Sequence, residues 1–208
     1  MAQLELSRPG KIVAVGLNYR SHAAELGMPV PTEPVLFLKP PSAVLGPGEA
    51  IELPPQSERV DHEAELALVI GRRARRVSAA AALDCVLGYT CANDVTARDL
   101  QQRDGQWTRS KSFDTFCPLG PWVETEPPPP DARVELLLGG ERRQGAPIGD
   151  MIFSPAELVA YIASVMTLEP GDVILTGTPP GVGPLTPGDQ VTVRIDGVGS
   201  LTNPVVHP

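Results

Sequence analysis

The sequence predicts an α+β fold with more strand than helix. Proline and glycine number 24 and 20 in 208 residues, about a fifth of the chain, so turns are frequent and elements short. The apolar runs are brief and bounded by turn residues, as strands are. The clearest helix start is the segment opening at Ser154. A helical bundle or a coiled coil is excluded on these grounds.

Taken in order, Lys11–Leu17 reads as the first strand and Ser21–Leu26 as a polar turn of helical character. Val35–Lys39 is a strand, and Pro40–Pro55 is loop-rich, with Pro47-Gly48 as a turn. Glu63–Ile70, closed by Gly71, is the strongest strand. Ser78–Leu87 reads as an alanine-rich helix with Ser78 as its N-cap, and Gly88–Asn93 as a strand. Val95–Gly120 shows no period and reads as a long binding loop, ordered by Trp107, Phe113 and Phe116. Pro127–Pro130 reads as a rigid surface loop, because neither flank looks self-sufficient; residues 1–208 are expected to form one domain. Ser154, Pro155 and Glu157 make a capping box with proline at the first helical position, and Leu158, Tyr161, Ile162 and Val165 follow on one face. Val173–Thr176 and Gln190–Ile195 are strands, separated by the glycine-proline loop Gly177–Pro184. Pro-Gly-Asp precedes each of these strands, at 170–172 and 187–189, as a turn.

A net charge of −8 counts against nucleic acid and anionic membranes as partners. No apolar run approaches the ~20 residues that cross a bilayer, and the start of the chain does not read as a signal peptide. Cys85, Cys91 and Cys117 are odd in number and lack CxxC spacing, so they are expected to be reduced core thiols of a cytoplasmic protein.

Four groups could carry chemistry. Glu63 and Glu65 alternate with alanine on a strand and point the same way, opposite to Leu66, Leu68 and Ile70. Alone, Glu-x-Glu is a weak motif and reads first as a solvated edge-strand face. With Asp94 at the end of the next strand, the three make an oxygen-only set that suits Mg2+ or Mn2+ rather than Zn2+. His22, His62 and His207 have no zinc-type spacing. His22 and Glu25, three apart, could pair as an oriented general base or be a surface pair. Arg98, Gln101 and Lys111 could anchor a carboxylate or be ordinary surface groups, and Thr176-Gly177-Thr178-Pro179 could bind one or be a plain turn.

Six motifs in order combine these groups. They are Asn18-Tyr19-Arg20-Ser21-His22-Ala23-Ala24-Glu25, Asp61-His62-Glu63-Ala64-Glu65-Leu66, Asn93-Asp94-Val95-Thr96-Ala97-Arg98-Asp99, Lys111-Ser112-Phe113-Asp114, Pro118-Leu119-Gly120-Pro121, and Gly171-Asp172-Val173-Ile174 with Thr176 to Gly183. The series resembles the fumarylacetoacetate hydrolase family from about residue 11 to about residue 205. The resemblance implies rolled, β-rich mixed sheets, a homodimer and a Mg2+ or Mn2+ site. Glu63, Glu65 and Asp94 match its metal ligands. His22 and Glu25 match its catalytic dyad, carried on a segment that orders as a lid, with Gly27–Pro34 around it. Arg98, Gln101, Lys111 and Thr178 match positions that hold substrate, Lys111 being counted with the catalytic groups. Ser110, where glycine is common, and Gly139-Gly140-Glu141, where Asn-Gly-Glu is usual, depart from the pattern without touching these residues.

The expectation is the short branch without an added N-terminal domain: acylpyruvate hydrolases, oxaloacetate decarboxylases and 2-hydroxyhepta-2,4-diene-1,7-dioate isomerases or the related decarboxylases of aromatic catabolism. A 2-oxo acid on the metal would support hydrolysis, decarboxylation or isomerisation at one site. An inactive relative that binds metal and a small acid is the non-enzymatic alternative. Pro127–Pro130 receives no functional account.

Overall fold

The computed structural model describes residues 9–207. β1 (Ile12–Gly16) is an apolar, buried strand. It gives way at Leu17, whose left-handed backbone (φ 48°) turns the chain towards α1 (Arg20–Glu25). β2 (Val35–Lys39) returns antiparallel on β1. The proline-rich stretch that follows holds a 3-10 turn and the two-residue strands β3 (Val44–Leu45) and β4 (Ile51–Glu52). β5 (Val60–His62) and β6 (Ala64–Ile70) are parted at Glu63. The helix α2 (Ala79–Ala82) leads through a 3-10 turn into β7 (Val86–Asn93), and β8 (Thr96–Ala97) follows. Then come α3 (Arg98–Asp104), α4 (Thr108–Lys111), β9 (Cys117–Glu124), β10 (Arg133–Leu138) and β11 (Glu141–Pro147). The capping box at Ser154 and Glu157 starts α5 (Pro155–Val165). β12 (Val173–Leu175), β13 (Gly183–Pro184), β14 (Gln190–Ile195) and β15 (Gly199–Val206) complete the order.

A seven-stranded sheet runs β2-β1-β12-β6-β7-β9-β3, a five-stranded sheet β11-β10-β14-β15-β4, and a small sheet β13-β5-β8. The main core lies between the two large sheets and α5, with Leu66, Leu68 and Ile70 facing Val134, Leu136, Val193 and Ile162. Burying each such aliphatic side chain is worth about 1.5–3 kcal/mol. A second cluster, including Ile12, Ala67, Ala92 and Leu175, covers the opposite face of the seven-stranded sheet. β6 is therefore buried on both faces, as an interior strand of such a sheet is.

Register fixes where the site lies. β1 and β12 run parallel, β12 pairs antiparallel with β6 (Leu175 opposite Ala67), and β6 with β7 (Ala64 opposite Asn93). The carboxyl ends of β1, β12 and β7 thus meet the amino end of β6 at one margin of the sheet.

The structure corrects several expectations. Ser78–Leu87 is not one helix: Ser78 caps no amide, α2 has four residues, and the strand starts at Val86. Val95–Gly120 is not a long loop but contains β8, α3, α4 and the start of β9. Val165 is exposed; Val159 and Ala163 complete the buried face of α5 instead. Glu63 and Glu65 lie on no solvated edge, since both are buried beside an interior strand. The Pro127–Pro130 loop is at the surface, as read from sequence, and has a definite contact. The Pro130 carbonyl accepts from the Gly149 amide at 2.7 Å, bracing the 3-10 turn Ile148–Asp150.

On the five-stranded sheet, Glu135 is buried beneath Arg133, Arg142 and Arg194. Burial works to raise its carboxyl, but hydrogen bonds from Arg194 and Arg142 outweigh that and hold it below the usual range. A depressed folded-state value means the stabilisation is present above about pH 4.3, the unfolded value, and is lost as pH falls through the folded one. Glu135→Gln is therefore expected to cost about 1 kcal/mol at pH 7. In urea melts, the gap between parent and variant should close as the buffer is taken from pH 7 to pH 3; a gap independent of pH would contradict this.

Candidate active site

At the sheet margin three carboxylates converge. Glu63 sits at the break between β5 and β6, Glu65 on β6, and Asp94 immediately after β7. The Asp94 amide donates to the Glu63 carbonyl at 2.8 Å, which carries the β6–β7 pairing to the site. One oxygen from each carboxylate lies within 4.8 Å of the others, and all three residues are buried.

Cations surround the group. Lys111 Nζ donates to Glu63 at 2.9 Å and to Asp94 at 2.6 Å, and Lys39 Nζ donates to the other Asp94 oxygen at 2.6 Å. Arg98 donates to Glu63, to Asp61 at 2.9 Å and to Gln101 at 2.6 Å, while Arg59 pairs with Asp61. Four carboxylates (Asp61, Glu63, Glu65, Asp94) thus face four cations (Arg59, Arg98, Lys39, Lys111).

The two glutamates diverge electrostatically. Burial pushes the Glu63 carboxyl up, but Lys111 and Arg98 overcome it and hold it at about 2. The Glu65 carboxyl is raised well above the usual range by burial and by the charges of Asp94 and Glu63; the Gly177 amide, 2.6 Å away, and Lys111 compensate only in part. Among the described residues no cation forms an ion pair with this carboxylate. Three buried, hard oxygen donors with one under-compensated charge fit a divalent cation of the Mg2+ or Mn2+ type, and Glu63, Glu65 and Asp94 are the residues that would hold it.

The dyad forms as well. His22 Nδ1 lies 2.8 Å from Glu25 Oε2. A carboxylate only accepts, so Nδ1 is the donor, and in the neutral ring Nε2 is then the nitrogen that carries the free lone pair. The His22 side chain is 12% exposed and that of Glu25 43%, so the histidine is the member turned inward. Their helix α1 is pinned from below: Ser21 donates to Asp150, and Arg20 to the Met151 carbonyl. The Gly181 amide donates to Glu25 at 3.1 Å. Gly181 has φ +94°, and a Cβ there would fall 2.1 Å from the Arg143 carbonyl, so only glycine fits.

A cavity of about 310 Å³ joins these parts. His22, Glu63, Glu65, Asp94, Arg98, Gln101, Lys111 and Thr178 all line it, and Glu25 lies in the adjoining cleft with His22. All nine residues singled out in the sequence are therefore gathered at one place. Phe37 and Trp107, packed edge to face at 5.3 Å, form an apolar wall together with Val15 and Met28. Gly27–Pro34 runs as an irregular, largely exposed segment beside the mouth.

Sequence reasoning missed Lys39, Phe37 and Gln144. A lysine closing an apolar strand before Pro40-Pro41 was the available sign for Lys39.

Comparisons with known proteins give the family. The family model for the fumarylacetoacetate hydrolase C-terminal domain matches residues 11–206. An uncharacterized protein of Methanocaldococcus jannaschii is 52% identical over 94% of this chain and 83% of its own length. Two solved structures superpose closely. The 5-carboxymethyl-2-hydroxymuconate delta-isomerase from Mycobacterium smegmatis has a TM-score of 0.91 and 50% identity, covering 97% of this chain and 80% of that one. The 2-hydroxyhepta-2,4-diene-1,7-dioate isomerase from Mycobacterium marinum has a TM-score of 0.90 and 50% identity, covering 96% and 75%. On fold and sequence together, the chain belongs to the fumarylacetoacetate hydrolase family, matching its C-terminal domain.

Proposed function

We propose that the protein is a Mg2+- or Mn2+-dependent enzyme that breaks a C–C bond in a 2-oxo acid, by hydrolysis of an acylpyruvate-like substrate or decarboxylation of an oxaloacetate-like one. The observation that carries this reading is the meeting of three buried carboxylates and an oriented histidine in one cavity. The bound ion would supply a Lewis acid that polarises the 2-oxo group and offsets the negative charge developing there.

The chain's own residues do the rest. Arg98, Gln101 and the Thr178 segment hold the substrate carboxylate, and Lys111 places a fixed positive charge beside Glu63 and Asp94. In hydrolysis, His22 Nε2 takes a proton from water while Glu25 steadies the imidazolium through Nδ1. The water oxygen adds to the distal carbonyl carbon. The C–C bond breaks, its electron pair goes to the carbon next to the 2-oxo group, and His22 returns the proton there. Phe37 and Trp107 keep bulk water from that wall of the cavity.

A second reading, isomerisation of a dienedioate in aromatic catabolism, is favoured by the names of the two superposed structures. In it His22 moves one proton between two carbons of the substrate. One domain, a homodimer and a cytoplasmic setting complete the proposal. The three buried free thiols support the last of these, and no helix among the described residues is long and apolar enough to cross a membrane.

A panel assay with Mg2+ on oxaloacetate, acetylpyruvate, fumarylpyruvate and a dienedioate tests the proposal. Turnover of at least one, lost in chelator, is expected. Turnover unchanged by chelator, or of none with metal bound, would contradict it.

A further inference from the structure

β11 belongs to the five-stranded sheet, yet one of its side chains bonds to a residue that lines the active-site cavity. Gln144 is buried and uses both ends of its amide. Its Oε1 accepts from the Ala64 amide at 2.9 Å, and its Nε2 donates to the Pro179 carbonyl at 2.8 Å and to Thr178 Oγ1 at 2.8 Å. A backbone N–H only donates and a backbone carbonyl only accepts, so these contacts fix which end of the amide is which. His62 Nδ1, 3.1 Å from Oε1, must then be a donor too. Thr178 Oγ1 passes its own proton to the Ala64 carbonyl at 2.9 Å. The bonds close a ring: Gln144 to Ala64, Gln144 to Thr178, and Thr178 back to Ala64.

Ala64 is the residue between Glu63 and Glu65, so both the amide and the carbonyl of the residue that spaces those carboxylates are held by this ring. The loop on its far side supplies the Gly177 amide to Glu65 and the Gly181 amide to Glu25, and it rests on Arg143 and Gln144. We infer that Gln144 is a positioning residue, which sets the spacing between the Glu63-Ala64-Glu65 backbone and the Thr178–Gly181 loop and thereby the geometry of the divalent-ion site. The inference rests on the metal-site reading above.

The test is Mn2+ binding, followed by the electron paramagnetic resonance of free and bound ion, in the full-length parent and in Gln144→Met. Methionine has similar length but no hydrogen bonds to give. The variant is expected to keep a cooperative melt yet bind Mn2+ about tenfold or more weakly, the usual cost of removing a group that orients metal ligands. A variant that melts lower but binds within about twofold of the parent would overturn the inference, because Gln144 would then serve stability alone. A parent that binds no Mn2+ would overturn the metal-site reading and this inference with it, so the two failures are distinguishable. Should Gln144→Met not fold, Thr178→Val and Thr178→Ser decide the matter from the other side of the ring. Weakened binding in the valine variant, restored in the serine variant, supports the clamp; equal affinities in both overturn it.

Discussion

Replacing Glu65 by alanine is expected to remove the response of the protein to divalent ions and, with it, turnover. Of the three proposed ligands, Glu65 is the one whose charge is least compensated: it faces Glu63 and Asp94, while Lys111, Lys39 and Arg98 donate to those two. A cation gains most there, and its loss costs most. At a hundredfold excess of Mg2+ over Kd the parent should be stabilised by about 2.7 kcal/mol, or roughly 5–11 °C for a chain of this size. If the variant binds about 100-fold more weakly, the same Mg2+ gives only about 0.4 kcal/mol, roughly 1–2 °C. Differential scanning calorimetry with and without Mg2+ reads both. A shift left intact in Glu65→Ala would mean that the ion binds elsewhere.

The second large effect separates chemistry from binding. His22→Ala should lower kcat by roughly 10²- to 10⁴-fold, the usual contribution of a positioned general base, while the Mg2+-induced shift in melting temperature stays at the parent value. The separation follows from geometry, since His22 sits on α1 and bonds to Glu25, whereas the carboxylates are held by β6 and β7. Glu25→Gln should cost less than His22→Ala, because the amide still offers an oxygen to Nδ1 but no charge. Unchanged turnover in His22→Ala would remove it from the mechanism.

These two sites differ in how far the sequence alone exposes them. The strand period places Glu63 and Glu65 on one side of β6 without any structure. Their burial was not legible, because Glu-x-Glu reads the same on an edge strand as on an interior one, and neighbours decide. His22 and Glu25 were legible as a helical pair, but the anchors of that helix, Asp150 and Met151, lie about 130 residues away. The strands β9 and β11 escaped notice for local reasons. Pro118, Gly120 and Pro121 interrupt β9, and β11 is a sheet edge whose run Glu141-Arg142-Arg143 looks solvated because it is. Gly139-Gly140 between two extended runs was the available hairpin signal. Gln144 could not be found from pattern at all. A buried glutamine in a polar edge strand has no periodic signature, and its importance arises only from the backbone groups it meets.

The most direct measurement is a crystal structure with Mn2+ and oxalate, a mimic of a 2-oxo acid, read at the manganese absorption edge. One anomalous peak is expected, bonded to Glu63, Glu65 and Asp94 at about 2.0–2.3 Å, with oxalate completing its coordination beside Arg98 and Gln101. A peak on other residues, or oxalate bound away from these three carboxylates, would contradict it.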